Sequence, residues 1–187
     1  MLFKISNEAL YSLIDNYTHE AGVRNLERVL ESLMRKAAKL IASKEVGFVN
    51  ITVSNLDSYL PFEHKMKKET ISQYDEIGVV NGLAYTQAGG DILKIEVSAP
   101  EGSGKLELTG SLGDVMKESA KAAITYIRCN AKSLGIDPDF YKNRDIHIHV
   151  PEGAVPKDGP SAGVTIMTAL ASELSGIPVR RDVAMTG

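Results

Sequence analysis

Residues 145–163 read DIHIHVPEGAVPKDGPSAG and change periodicity along their length. The first six residues alternate between polar and apolar side chains, which is typical of a strand with one buried face. After the final glycine, apolar residues recur at helical spacing. Pro160 suits the first turn of a helix, because its missing N–H has no partner there. The segment therefore predicts a strand, a turn and a helix, with Asp158 as the helix cap and Ser161 in the first helical turn.

Further strands and helices flank this unit. A turn signal, Gly89-Gly90, separates the first two strands, and Gly135 and Gly176 are predicted to end the two helices. Strands mixed with two helices imply an α/β or α+β layer fold for this region. The predicted strands are 79–86, 91–99, 105–109, 145–150 and 182–185, and the predicted helices are 112–134 and 160–175.

The first part of the chain has a helical pattern. Apolar residues recur at spacings of three and four in two segments, the first capped by Ser6 or Asn7. A short strand at 48–53 and one or two helical turns at 55–60 follow. Residues 61–76 carry clustered charge and few apolar side chains, so we interpret them as a linker. The predicted organisation is a small helical domain at 1–60, this linker, and a mixed α/β domain at 77–187.

Composition excludes several classes of protein. The 187 residues carry a net charge of −3 and are 43% hydrophobic, as in ordinary globular domains and unlike disordered chains. No apolar run is long enough for a membrane span. The single cysteine, Cys129, excludes an internal disulfide and a cysteine-rich zinc site. The slightly negative charge and the absence of tryptophan argue against nucleic acid as a partner.

Two further patterns partly resemble ligand sites, one for phosphate and one for a metal ion. The sequence EGSGK at 101–105 lacks the earlier glycine and the following Ser or Thr of a phosphate-binding loop, so it predicts a glycine turn between strands. His147 and His149 lie two residues apart on a predicted strand and therefore share one face. A zinc site usually takes at least three protein ligands, so no metal is expected here.

The segment around Ser161 is compatible with catalysis by this serine. Free N–H groups and the helix dipole favour the negative charge that develops in acyl transfer, and Gly159 is expected to allow a tight backbone there. The pattern Gly-Pro-Ser-Ala-Gly fits the nucleophile turn of α/β-hydrolases, but no histidine follows Ser161, as that fold requires. A His-Asp-Ser order exists in His147 or His149, Asp158 and Ser161. The same residues are also consistent with a helix cap beside a polar strand.

At these residues the chain resembles the Lon family of ATP-dependent serine proteases. Residues 145–163 are similar to that family's active-site segment. TGSLGDVMKES at 109–119 and DVAMTG at 182–187 are similar to other parts of the same protease domain. YTHEAGVRNLER at 17–28 resembles the small helical lid of the family's AAA+ ATPase. The resemblance covers essentially the whole chain, and PKDGPSAG is its most specific motif.

The resemblance implies roles for particular residues. Ser161 matches the nucleophile, and Arg24 matches the sensor arginine through which the lid reads the nucleotide's phosphates. Other residues match polar groups around the family's active site, namely His147, His149, Asp158 and Thr186. In the family the base is a lysine, which forms a dyad with the serine and follows a Thr-Gly-Glu stretch that would begin at Thr186.

The base is the point at which this chain departs from the family. Lys157 is the only lysine after position 142, and the resemblance gives it no role as a base. The protease domain is therefore expected to be incomplete at its C-terminus, and the fragment to be inactive. The ATPase's phosphate loop and magnesium-binding carboxylate are also not present. ATP and Mg²⁺ are thus the cofactors of the full-length family, and none is expected to bind this chain alone.

The function that the resemblance implies is ATP-dependent endopeptidase activity on misfolded or regulatory proteins, that is, protein quality control. The implied partners are unfolded protein substrates and further copies of the chain in a hexamer, with no membrane and no nucleic acid. The expected location is the bacterial cytoplasm, with the mitochondrial matrix as the alternative. Two other functions stay open: a non-catalytic oligomerisation or docking module, and a His-Asp-Ser hydrolase that uses His149, Asp158 and Ser161.

Overall fold

The computed structural model describes five stretches of the chain, residues 2–18, 20–60, 72–86, 89–151 and 159–187. They fold into two compact units. Of the described residues, the first unit holds 2–18, 20–60 and 89, and the second holds 72–86, 90–151 and 159–187. No helix within the described stretches is both long enough and apolar enough to cross a membrane.

The first unit combines three helices with a small parallel sheet. Its elements are β1 (Phe3–Ile5), α1 (Asn7–Tyr17), α2 (Arg24–Ala42), β2 (Val49–Ile51) and α3 (Leu56–Tyr59). Strands β1 and β2 pair in parallel, with Ile5 opposite Ile51. The sequence pattern did not predict β1, because three residues are too few to display an alternating period. The strand forms because β2, far along the chain, supplies its hydrogen-bonding partner.

Side chains outside the helices set where α1 and α2 begin. Ser6 Oγ accepts a hydrogen bond from the N–H of Ala9 at 3.1 Å, so Ser6 is the cap of α1, as predicted. The carboxylate of Glu20 accepts bonds from the N–H groups of Asn25, at 2.8 Å, and Leu26, at 3.0 Å. Glu20 therefore satisfies the start of α2, which has no cap from its own N-cap residue, Val23.

The core of the first unit is small and almost entirely aliphatic. Its one buried aromatic residue among those described, Tyr17, donates its hydroxyl hydrogen bond to the carboxylate of Asp57. Burial and this carboxylate raise the pKa of Tyr17 to about 12. The buried residues of this core are Ala9, Leu13, Tyr17, Leu33, Ala37, Val49, Ile51, Leu56 and Leu60.

The second unit is a mixed five-stranded sheet with two long helices. Its elements are β3 (Val79–Thr86), β4 (Gly89–Ser98), β5 (Leu106–Thr109), α4 (Asp114–Asn130), α5 (Phe140–Asn143), β6 (Ile146–His149), a 3-10 turn (Pro160–Ala162), α6 (Gly163–Ser175) and β7 (Ala184–Met185). The strands lie in the order β5-β6-β4-β3-β7, where β5 is parallel to β6, β4 is antiparallel to β6, and β3 is parallel to β7. This architecture confirms the predicted mixed α/β fold.

One face of this sheet is buried by α4 and α6. Val97 of β4 lies opposite Ile148 of β6, and both are buried together with Ile127 of α4 and Ile166 of α6. The alternation of side chains then directs the neighbouring residues of β6, His147 and His149, to the other face.

The end of α4 differs from the prediction. The pattern predicted a helix to residue 134 with Gly135 as its cap, but α4 ends at Asn130. Turns follow in which the N–H of Leu134 donates to the carbonyl oxygens of Asn130 and Ala131, and the N–H of Ile136 donates to Ala131. This early end lets Ile136 reach the core, where it is buried. By contrast, Gly176 ends α6 as predicted, in a left-handed conformation with φ of 71°.

Candidate active site

Ser161 lies in the 3-10 turn that leads into α6, and its side chain is exposed. The carbonyl oxygen of Ser161 accepts a hydrogen bond from the N–H of Gly187 at 2.9 Å. The carbonyl oxygen of Gly187 in turn accepts from the N–H of Val164 at 3.2 Å. The serine is thus placed at the N-terminal end of a helix, and its backbone is fixed by the segment that follows β7.

The electrostatics at this helix end favour negative charge. The residue that precedes α6, Ala162, makes no side-chain cap, and no acidic residue lies in the first turn. The helix dipole therefore gives this end a partial positive charge. The N–H of Val164 is already bonded to Gly187, so a developing oxyanion near Ser161 would have to use other donors of the turn.

The sequence pattern made two predictions about this turn, one for Gly159 and one for Asp158. The structure contradicts the first and does not describe the residue of the second. The backbone of Gly159 is extended, with φ of 167°, so the expectation that a glycine is needed there for a tight conformation is wrong. Among the described residues, a Cβ at this position would meet only the Ser161 Oγ, at 4.0 Å. The predicted helix cap, Asp158, and Lys157 lie outside the described residues.

His147 and His149 are joined by a hydroxyl group that sequence reasoning missed. Thr109 Oγ1 lies 2.8 Å from Nε2 of His147 and 2.7 Å from Nδ1 of His149. The parallel register of β5 and β6 places Thr109 directly opposite His149. Thr109 is the first residue of the TGSLGDVMKES segment, but only the strand register, which no local pattern reveals, brings it between the two imidazoles.

This histidine pair is not bonded to the serine. Among the described residues no hydrogen bond joins Ser161 to His147 or His149, and the hydrogen bond that each imidazole makes is to Thr109. The described stretches contain no cluster of three or more His, Cys, Asp or Glu residues that could hold a metal ion.

Thr186 lies next to the contacts that fix Ser161. Its neighbours on both sides are bonded to the start of α6: Met185 accepts a hydrogen bond from Thr165 Oγ1 at 3.3 Å, and Gly187 bonds to Ser161. The side chain of Thr186 is exposed. The pairing of β7 with β3 therefore brings two site residues from distant parts of the sequence, Thr186 and Ser161, to the same end of α6.

Arg24 belongs to the first unit and is exposed at the first position of α2. It forms no ion pair with any other described residue. The adjacent N–H groups are held by Glu20, and these hydrogen bonds, first from Asn25 and then from Leu26, lower the pKa of that carboxyl group. Among the described residues, the guanidinium of Arg24 therefore has no carboxylate partner, and the adjacent N–H groups of Asn25 and Leu26 are already bonded to Glu20.

Comparison with known proteins accounts for nearly the whole sequence. Residues 2–48 match the family described as the Lon protease AAA+ ATPase lid domain. Residues 50–187 match the family described as the Lon protease (S16) C-terminal proteolytic domain. The lid match ends just before β2, so the compact first unit extends beyond that match by the whole of β2 and α3.

Bacterial relatives named Lon protease are similar to this chain along its full length. The one from Finegoldia magna is 56% identical over 99% of the chain, and one from Bacillus thuringiensis is 55% identical over 98%. "Lon protease 1" of Bacillus subtilis is 53% identical over 98%. The matched segments make up 24%, 23% and 24% of those three relatives, so the chain spans about a quarter of their length. The chain belongs to the Lon protease family and carries sequence of its lid domain and of its proteolytic domain.

Proposed function

We propose that the chain is part of an ATP-dependent serine endopeptidase in which Ser161 is the nucleophile. The observation that carries this proposal is the position of Ser161: an exposed residue at the start of α6, where no side chain caps the helix, with its backbone bonded to Gly187. Family membership gives the class of reaction, and the helix end gives a reason why the reaction occurs at this residue.

The chemistry follows from this placement. The Oγ of Ser161 attacks the carbonyl carbon of a peptide bond and loses its proton to a base, while the carbonyl oxygen takes up negative charge. The positive end of α6 stabilises that oxygen. The C–N bond then breaks, the amine leaves with the proton, and water hydrolyses the acyl-enzyme to release the acid.

The base is proposed to be a lysine outside this sequence. A serine hydroxyl is a weak nucleophile at neutral pH unless a neighbour accepts its proton, and a lysine can do so when burial lowers its pKa. No described lysine forms a hydrogen bond with Ser161, and Lys157 is not among the described residues. The 187-residue chain is therefore proposed to have little or no peptidase activity by itself.

Nucleotide binding is proposed for the longer protein and not for this chain alone. The residues described here fit only one element of an ATP site, the guanidinium of Arg24, which could contact a phosphate. They do not supply a phosphate cradle, because Glu20 already occupies the N–H groups of Asn25 and Leu26. Any contacts to ATP and Mg²⁺ beyond Arg24 would come from other parts of the protein.

We also propose an oligomeric state and a cellular location for the protein. We infer a homohexamer that takes unfolded proteins as substrates and acts in the bacterial cytoplasm, with the lid and protease parts divided near residues 61–76. Support for these statements comes from membership of the Lon family and, for the division, from the two compact units.

A fluorophosphonate probe tests the role of Ser161. The labelling rate of the 187-residue chain is compared with that of a polypeptide that continues past Gly187. Because general base catalysis contributes about 10²-fold or more, the shorter chain should be labelled at least about 10²-fold more slowly. Ser161→Ala should remove labelling from the longer polypeptide, whereas Ser133→Ala, which changes an exposed serine in a turn, should not.

The same probe distinguishes the two possible bases. If a lysine beyond Gly187 is the base, His149→Ala should leave labelling of the longer polypeptide within about threefold of the unchanged protein, well below the effect of losing a base. Rapid and equal labelling of both chain lengths would overturn the assignment of the base to residues outside this sequence.

A further inference from the structure

The second unit has an open cavity of about 340 Å³ beside α4, remote in sequence from the Ser161 turn. Four cationic side chains line this cavity: Lys105 before β5, Lys121 and Arg128 on α4, and Arg144 before β6. No acidic side chain is among its described lining residues. We refer to it as the basic cavity.

The charges of the basic cavity are not neutralised by ion pairs. Among the described residues, none of the four cations forms an ion pair with a carboxylate. The neighbouring acid, Asp145, directs Oδ1 to the N–H groups of Ser103, at 2.7 Å, and Lys105, at 2.9 Å. These backbone bonds lower the pKa of Asp145, with a further contribution from the Lys105 charge. The loop from Ser103 to Lys105 is thereby fixed at the edge of the cavity, and Asp145 acts on it mainly through the backbone.

Each of the two exposed arginines makes a contact that, among the described residues, leaves most of its donors free. The guanidinium of Arg128 lies 3.8 Å from the centre of the Tyr141 ring. Arg144 uses Nη1 to donate to the carbonyl oxygen of Ala99 at 3.0 Å. A guanidinium group has five N–H donors in a planar fork, so both side chains retain donors for an anion with little further loss of conformational freedom.

The lining of the cavity also suits a ligand with a small apolar part. Three of the residues that line it are aliphatic: Leu106, Ile124 and Ile146. Gly104 forms part of its wall with φ of 88°, and a Cβ there would lie 2.3 Å from the carbonyl oxygen of Tyr141. The glycine therefore permits the close approach of the loop to α5 that closes this side of the cavity.

From these observations we infer that the basic cavity is a binding site for a small phosphate monoester. A phosphate group carries close to two negative charges at neutral pH and accepts hydrogen bonds from guanidinium forks. The four cations, which have no carboxylate partner among the described residues, can neutralise that charge. The aliphatic residues can contact a small organic substituent. The site is independent of the peptidase chemistry, since it needs neither Ser161 nor a base.

Calorimetric titration of the 187-residue chain at pH 7.5 tests this site, with phenyl phosphate and inorganic phosphate as probes. Phenyl phosphate should bind saturably with a dissociation constant on the order of 0.1–1 mM. It should bind more tightly than inorganic phosphate, because only the ester contacts the aliphatic residues. Phenyl sulfate, which has one charge, should bind at least about fivefold more weakly than phenyl phosphate.

Substitutions on α4 locate the binding. Arg128→Gln should weaken phenyl phosphate binding at least about tenfold, since it removes a charged fork. Lys117→Gln removes the same charge from the same helix outside the cavity and should change the dissociation constant less than about twofold. Lys121→Gln serves as a second test that leaves the ring contact of Arg128 intact. The inference is overturned if neither probe binds saturably, or if Lys117→Gln weakens binding as much as both cavity substitutions.

Discussion

The N–H of Gly187 donates a hydrogen bond to the carbonyl oxygen of Ser161, 2.9 Å away, and thereby ties the segment after β7 to the turn before α6. A second bond, from Thr165 Oγ1 to the carbonyl oxygen of Met185, supports the same attachment from inside the helix. The position of the serine thus depends on two backbone segments that are distant in sequence.

Thr165→Val tests this attachment. The substitution keeps the side-chain shape but leaves the carbonyl oxygen of Met185 without its donor, so unfolding should cost about 1 kcal/mol less. Hydrogen exchange at the Gly187 N–H should become faster, because the segment after β7 is held less firmly. Thr168→Val is the control, since its hydroxyl bonds only to Val164 within α6. Unchanged exchange at Gly187 in Thr165→Val would contradict the supporting role of this bond.

Thr109 limits the tautomers of the two histidines. A hydroxyl group has one proton, so it cannot donate to both imidazoles at once. The combination in which His147 accepts through Nε2 while His149 accepts through Nδ1 should therefore be absent. Long-range nitrogen–proton NMR identifies the tautomers directly, and Thr109→Val should remove the restriction. Observation of the excluded combination in the unchanged protein would show that Thr109 does not bridge the pair in solution.

Glu20 should stabilise the start of α2 in a pH-dependent manner. Its pKa is lower in the folded than in the unfolded chain, so its contribution is fully present above the ordinary glutamate pKa and is lost as the pH falls through the lowered value. Glu20→Ala should reduce the exchange protection of Asn25 and Leu26 at pH 7, and the difference from the unchanged protein should disappear in strong acid. Glu27→Ala, in the first turn of α2, is the matched control. Equal losses of protection in both variants would point to a general charge effect.

Tyr17 should titrate at a pH well above the ordinary tyrosine pKa. Its folded pKa of about 12 exceeds the ordinary value of 10, so its stabilising contribution is complete below pH 10 and is lost as the pH rises through 12. Tyr17→Phe removes the bond to Asp57 and should lower the free energy of unfolding by about 1 kcal/mol at neutral pH. Ultraviolet titration of the phenolates measures the first effect and urea unfolding the second. Tyr11→Phe, on an exposed part of the same helix, should change neither.

Local sequence patterns predicted the elements whose signals lie within a few residues. The predicted strand at 79–86 coincides with β3. Ser6, one of two predicted caps, and Gly176 mark helix ends, because capping is a local interaction. The end of α4 was missed because it is set by the burial of Ile136, a tertiary contact.

Residues of the candidate site could be predicted from the sequence more readily than the contacts between them. Ser161 was found because its motif reports a helix start, whereas Thr109 became visible only through the register of β5 against β6. The attachment of Gly187 to Ser161 depends on the pairing of β7 with β3, which no local pattern encodes. The basic cavity was missed for the same reason, because its four cations come from three separate elements.

The pairing of β7 with β3 also has a consequence for the order of events during folding. Asn81 meets Ala184 across this pair, and such distant contacts close large loops and tend to form late. Until they form, the turn that holds Ser161 lacks its bond to Gly187 and is fixed from one side only. A newly made chain would therefore bring this serine to its final position only near the end of folding, once the rest of this unit is assembled.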